Sequence, residues 1–90
     1  MDDIEIIDKT IGKYLIEFRK LYGTELKDVP DQISIKKLEK ELSRQLEINP
    51  SSTVIKSCID FLKLKAMTDM EQEEIDMSLF IKKGEDYLNE

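Results

Sequence analysis

Histidine and tryptophan are absent from this chain of 90 residues, and cysteine occurs once, at Cys58. Without imidazole the commonest metal ligand and the usual general base near neutral pH are gone. A single thiol can neither close a disulfide within the chain nor assemble a zinc site alone. Glycine is scarce as well: Gly12, Gly23 and Gly84 lie too far apart to build a phosphate-cradling loop. An enzyme is therefore the least supported class, and neither a cofactor nor a metal is expected. The longest apolar runs are three residues, such as Leu79-Phe80-Ile81, whereas a membrane-spanning helix needs about 20. The opening Met-Asp-Asp-Ile-Glu has no basic start and no apolar stretch of the kind that directs secretion. A cytoplasmic chain that makes no use of the membrane is the expectation.

What is present is charge, 38% of all residues, against 40% hydrophobic. The formal net charge of −6 is unevenly placed. Residues 1–34 hold eight acids and five bases, residues 35–66 four acids and seven bases, and residues 67–90 eight acids and two bases. The middle third is thus positive (+3) between two negative ones. Phosphate contact is decided within a Debye length of roughly 8–10 Å, so an acidic total does not exclude nucleic-acid binding through one face.

Apolar residues at Ile4, Ile7, Ile11, Tyr14, Phe18 and Leu21 recur in steps of three and four, which predicts an amphipathic helix over residues 4–22. Gly23 suits its end, and a connector around Pro30 follows over 24–33. Ser34 can cap a second helix, 34–47, with Ile35, Leu38, Leu42 and Leu46 on one face and Lys36, Lys37 and Lys40 on the other. Asn49 and Pro50 suit the start of a third helix, 51–66. On a helical wheel its apolar arc, which includes Lys65, spans roughly 160°, wider than the ~100° a surface helix needs. Ile55 and Ile59 lie at the edge of that arc. Either they pack on the first helix or they form a partner surface. Cys58 falls inside the arc and reads as a small core residue. Beyond residue 66 the set Ile75, Met77, Leu79 and Ile81 has a period of two, which predicts a two-stranded wing over 66–81 with an acidic tip at Glu71-Gln72-Glu73-Glu74. A short terminal helix, 82–89, closes the chain.

The run Leu42-Ser43-Arg44-Gln45-Leu46-Glu47-Ile48-Asn49-Pro50-Ser51-Ser52-Thr53-Val54 resembles the core of a helix-turn-helix, with Ser43 as the small residue at the helix crossing. Phe80-Ile81-Lys82-Lys83-Gly84-Glu85-Asp86-Tyr87-Leu88 is similar to the Leu-Thr-x-Lys-Gly-x-x-Tyr-Leu ending that follows the wing in many regulators. Together they make residues 34–90 resemble the winged helix-turn-helix domain. The resemblance implies an α+β, mostly helical fold of three helices, a wing and a terminal helix. It also implies binding of double-stranded DNA, with helix 51–66 in the major groove, and a role in transcription regulation.

On that reading Lys36, Lys37, Lys40, Lys56 and Lys63 contact phosphates, and Ser52 and Thr53 reach phosphates or base edges. Two-fold operators call for a homodimer, with Ile4, Ile7, Ile11 and Phe18 as the seam. Three alternatives compete with it. The first is a protein-binding adaptor or inhibitor on the same fold, supported by the acidic last third and by Ile55 and Ile59. The second is an all-α bundle with residues 70–81 helical. The third is a ribbon-helix-helix protein, suggested because Gln32, Ser34 and Lys36 alternate with Ile33 and Ile35.

Overall fold

The computed structural model describes residues 2–24 and 26–90. Met1, and Glu25 of the expected connector, lie outside the described residues. The first helix, α1, spans Asp3–Tyr22. The Asp2 carboxylate accepts the Ile4 N–H at 3.0 Å, and acids in the first turn and bases in the last complement the helix dipole. Gly23, at φ 68°, turns the chain out of the helix while its N–H still reaches the Arg19 carbonyl. Two turn hydrogen bonds fold the connector, Lys27 N–H to Thr24 C=O and Val29 N–H to Leu26 C=O, and Leu26 is buried.

A short strand, β1 (Gln32–Ser34), leads directly into α2 (Ile35–Ile48). The Ser34 hydroxyl accepts the Lys37 N–H at 3.1 Å and caps that helix. The third helix, α3, covers Thr53–Thr68. Its cap is Ser52, not Asn49: the Ser52 hydroxyl accepts the Ile55 N–H at 3.2 Å. Asn49 instead closes α2, its N–H on the Gln45 carbonyl, so Pro50 sits in the turn and α3 starts at Thr53, two residues after the expected 51. The second strand, β2 (Glu74–Asp76), and α4 (Met77–Leu88) complete the chain. Among the described residues the architecture is α+β and mostly helical, with four helices and one two-stranded antiparallel sheet.

That sheet corrects the expected wing. No local hairpin occupies 66–81; α3 continues to Thr68, and β2 pairs with β1, which lies before α2. The register sets Gln32 opposite Asp76, Ile33 opposite Ile75 and Ser34 opposite Glu74. Residues 75–81 satisfy two periods at once. Ile75, Met77, Leu79 and Ile81 fit a strand, while Met77, Phe80, Ile81 and Gly84 fit a helix. The helical period prevails from Met77 onward: Met77, Phe80 and Gly84 are buried and Leu79 is exposed. The terminal helix therefore begins at Met77 rather than at 82, and residues 70–81 are not the continuous helix of an all-α bundle.

Two caps fix the start of α4. The Asp76 carboxylate accepts the Leu79 N–H at 3.1 Å, and the Asp31 carboxylate accepts both the Ser78 hydroxyl at 2.6 Å and the Ser78 N–H at 3.1 Å. The Ser78 hydroxyl, then its N–H, hold the Asp31 carboxyl below its ordinary value. The Met77 N–H to Asp31 C=O and Ile35 N–H to Glu73 C=O hydrogen bonds extend the pairing at both ends of the sheet.

The core is built by α1, α3 and α4 around Ile11, Leu15, Phe18, Leu62 and Phe80, with α2 contributing Leu38 and Leu42. Here the expected dimer seam is corrected. Ile7, Ile11 and Phe18 are buried within their own chain, because the stripe of α1 faces α3 and α4; Ile4 is half-buried. The most extensive packing is α1 against α4, and its crossing is made by two glycines. A Cβ on Gly12 would stand 1.9 Å from the Phe80 carbonyl oxygen, and one on Gly84 would stand 2.3 Å from the Gly12 carbonyl carbon. The two backbones touch.

Candidate nucleic-acid interface

The helix pair α2 and α3 is joined by the four residues 49–52, tightened by the Ser52 N–H donating to the Asn49 carbonyl at 3.0 Å. The inner side of α3 carries Ile55, Cys58, Ile59 and Leu62, all buried. Its outer side exposes Thr53, Lys56, Asp60 and Lys63, with Ser57 half-buried beside them. Positions 53, 56, 60 and 63 share a face by helical spacing, so two lysines flank one carboxylate on a solvent-facing strip. Phosphate attraction along that strip is moderate, since Asp60 offsets part of it.

Ser52 does not belong to the strip. It is buried, and its hydroxyl accepts the Ile55 N–H as the helix cap, which occupies the oxygen expected to reach DNA. Ile55, with no exposed surface, and Ile59, at 8%, face the core. They cannot form the partner surface that the adaptor reading drew on.

Lys36, Lys37 and Lys40 are all exposed on α2, yet the structure divides them. Lys36 borders a groove shared with Ala66, Met70, Gln72 and Glu73. Lys37 and Lys40 border a different groove, of about 420 Å³, formed with Val29 and Pro30 of the connector. Arg44 lies in that second groove too and is ion-paired with Glu41 one turn earlier. It is the cation missed by reading only the Lys-rich start of α2, although its place one turn after Lys40 puts it on the same face.

One cation of the middle third is not at the surface. Lys65 has no exposed area; its Nζ donates to Asp8 Oδ1 at 2.6 Å and to Asp69 Oδ2 at 3.4 Å. The second Asp8 oxygen accepts Lys83 Nζ at 3.0 Å. Both ammonium groups lie 5.3 Å from the centre of the Phe80 ring, within cation–π range. Two acids and two bases close a charge-balanced cluster that links α1, α3 and α4. Its chemistry is structural, because each buried charge faces an opposite one.

Burial pushes the Cys58 thiol up to about 12, so almost no thiolate exists near neutrality. An aromatic disulfide reagent at about pH 8 is expected to label the native chain only as fast as it unfolds, and to label at once in denaturant. Immediate native labelling would place Cys58 outside the core. No group of three or more Cys, Asp or Glu side chains is arranged to hold a metal ion among the described residues. No helix among them is long and apolar enough to cross a membrane. No family model, curated protein or solved structure matches this chain.

Proposed function

We propose that the chain is a small cytoplasmic DNA-binding protein that reads DNA through a helix-turn-helix, acting in transcription regulation. The observation that carries the proposal is the α2–turn–α3 unit. One face of α3 is committed to the core, and the other presents Thr53, Lys56, Asp60 and Lys63, with Ser57 half-buried beside them, on a capped helix. Helix α3 enters the major groove, Lys56 and Lys63 contact phosphates, and Thr53 reaches phosphates or base edges. Lys36, Lys37 and Lys40, joined by Arg44, supply further phosphate contacts from α2. With no arginine on the outer face of α3, sequence preference comes from Thr, Ser and Lys contacts and from DNA shape. A homodimer on a two-fold site belongs to the same proposal. Its contact uses side chains that the core leaves exposed, such as Ile6 and Leu21 of α1.

The test is duplex binding followed by fluorescence anisotropy across a salt series. Wild type is expected to bind with a log–log salt slope of about −0.9 per phosphate contacted. Lys56→Ala should weaken binding by about 1 kcal/mol or somewhat more, reduce the slope by close to one contact, and leave the melting temperature unchanged. No duplex binding at ~50 mM salt, or a Lys56→Ala protein that binds like its parent, sinks the proposal.

A further inference from the structure

We propose a second surface that engages protein: the groove between the start of α2 and the loop after α3 docks a basic amphipathic segment of a partner. The groove encloses about 410 Å³ between Ser34, Ile35 and Lys36 on one side and Ala66, Met70, Gln72 and Glu73 on the other. That volume lies in the range of ligand-sized clefts.

Two features of the groove and of the surface beside it define the occupant. The first is exposed thioether. Met70, in the lining, is 80% exposed, and Met67, beside it at the end of α3, is 75% exposed; no other large hydrophobic among the described residues stands out further. Unbranched, polarisable methionine side chains adapt to differently shaped apolar partners, which suits them to a surface that receives a helix. The second is the sign of the surrounding charge. Glu71, Glu73 and Glu74 are exposed along the loop and into β2. Lysine or arginine side chains flanking an apolar stripe match both features. Within the lining Lys36 and Glu73 balance, so the acidic excess is carried by Glu71 and Glu74 beside it.

The loop is held in place rather than loose. The Glu73 carbonyl accepts the Ile35 N–H at 2.9 Å, and the Gln72 N–H donates to the Asp69 carbonyl at 3.2 Å. Asp69 is in turn tied to Lys65. A partner therefore meets a groove whose walls are already ordered, which lowers the entropic cost of docking.

The experiment uses the full chain and a fluorescein-labelled peptide of about 14 residues, long enough to form a helix on a surface, made of leucine and lysine patterned with one apolar face. A scrambled peptide of identical composition is the control, and both are titrated at about 0.15 M salt, where exposed charges act over roughly 8 Å. The patterned peptide is expected to bind at least tenfold tighter than the scrambled one. Met70→Ser and, separately, the double change Glu71→Lys with Glu73→Lys should each weaken it about fivefold or more, with unchanged melting temperatures confirming intact folds. Equal binding of the two peptides would mean charge attraction alone and overturn the proposal, as would no binding or indifference to both variants. A concentration-dependent dimer that Met70→Ser dissociates would assign the groove to a second copy instead, which also overturns it. None of these outcomes depends on whether the chain binds DNA.

Discussion

Gly12→Ala is expected to lower the melting temperature by roughly 8–16 °C, against every indication of helix propensity. Alanine inside a helix is better than glycine by about 1 kcal/mol, and at 4–8 °C per kcal/mol for a domain of this size the local effect alone would raise the melting temperature. The crossing of α1 and α4 reverses the sign. A methyl group on Gly12 would lie 1.9 Å from the Phe80 carbonyl oxygen and 2.6 Å from the Gly84 nitrogen. Those are backbone atoms, which cannot rotate away as a side chain can, so the helices must separate. Overpacking of this kind typically costs 1–3 kcal/mol, and separating two backbones belongs at the upper end. Gly84→Ala should behave alike, since its methyl would meet the Gly12 carbonyl carbon at 2.3 Å and the Lys13 nitrogen at 2.6 Å. The double variant should lose less than the sum, because one separation relieves both clashes. Gly23→Ala separates the two causes: a methyl there meets nothing within 4 Å, so any loss, about 1–3 kcal/mol, comes from the positive-φ backbone alone and not from a clash. Thermal melts followed by circular dichroism read all four, and a Gly12→Ala protein that melts at or above the parent would refute the close crossing.

The same glycine shows what the sequence makes legible and what it hides. The three- and four-residue steps from Ile4 to Leu21 mark α1 and its buried face, because burial follows helical periodicity. They do not say which element covers that face, so a stripe that α3 and α4 bury reads equally well as a dimer seam. Gly12 lies inside that periodic run, where a glycine weakens a helix; the signal of a close approach was present, though not the identity of the helix approaching. Ser34 marks the start of α2 because an N-cap is a local device.

The strands are the opposite case. The alternation of Gln32, Ile33, Ser34 and Ile35 does mark β1, and Ile75 marks β2, but three residues carry too little pattern to name a partner on the far side of two helices. The period-of-two pattern over 75–81 was therefore open to reading as one arm of a local wing. At the candidate interface, Thr53, Lys56 and Lys63 are legible because charged and polar side chains on one helical face stay in water. Ser52 is misread by one step: a hydroxyl beside a helix start serves either the helix or a ligand, and only the position of Ile55 N–H decides between them. Likewise the wheel places Lys65 inside the apolar arc, but Asp8, the partner that makes its burial tolerable, is 57 residues away.

Removing the Asp8 carboxylate is expected to be the most damaging single change in the charged cluster, at about 3–5 kcal/mol for Asp8→Ala. The asymmetry follows from the pairing. Asp8 accepts from two cations, Lys65 at 2.6 Å and Lys83 at 3.0 Å, so its loss leaves both without their shortest partner. Lys83 is partly exposed and can turn toward water. Lys65 cannot: it has no exposed area and keeps only Asp69, at 3.4 Å. Lys65→Met is milder, about 1.5–3 kcal/mol, the scale of a lost hydrogen bond to a charged group, because Asp8 retains Lys83 and the methionine side chain fills most of the vacated space. The decisive variant combines Asp8→Leu with Lys65→Met. It removes the buried ions together, leaves Lys83 free to reach solvent, and should recover most of the loss, since replacing a buried ion pair by apolar groups of similar volume is often neutral or stabilising. Denaturant titrations measure all three stabilities. An Asp8→Ala protein within about 0.5 kcal/mol of the parent, the scale of an ordinary surface change, would mean that Lys65 is not held in the core by Asp8. A double variant no more stable than Asp8→Ala would mean that the cluster, rather than the packing around it, holds α1, α3 and α4 together.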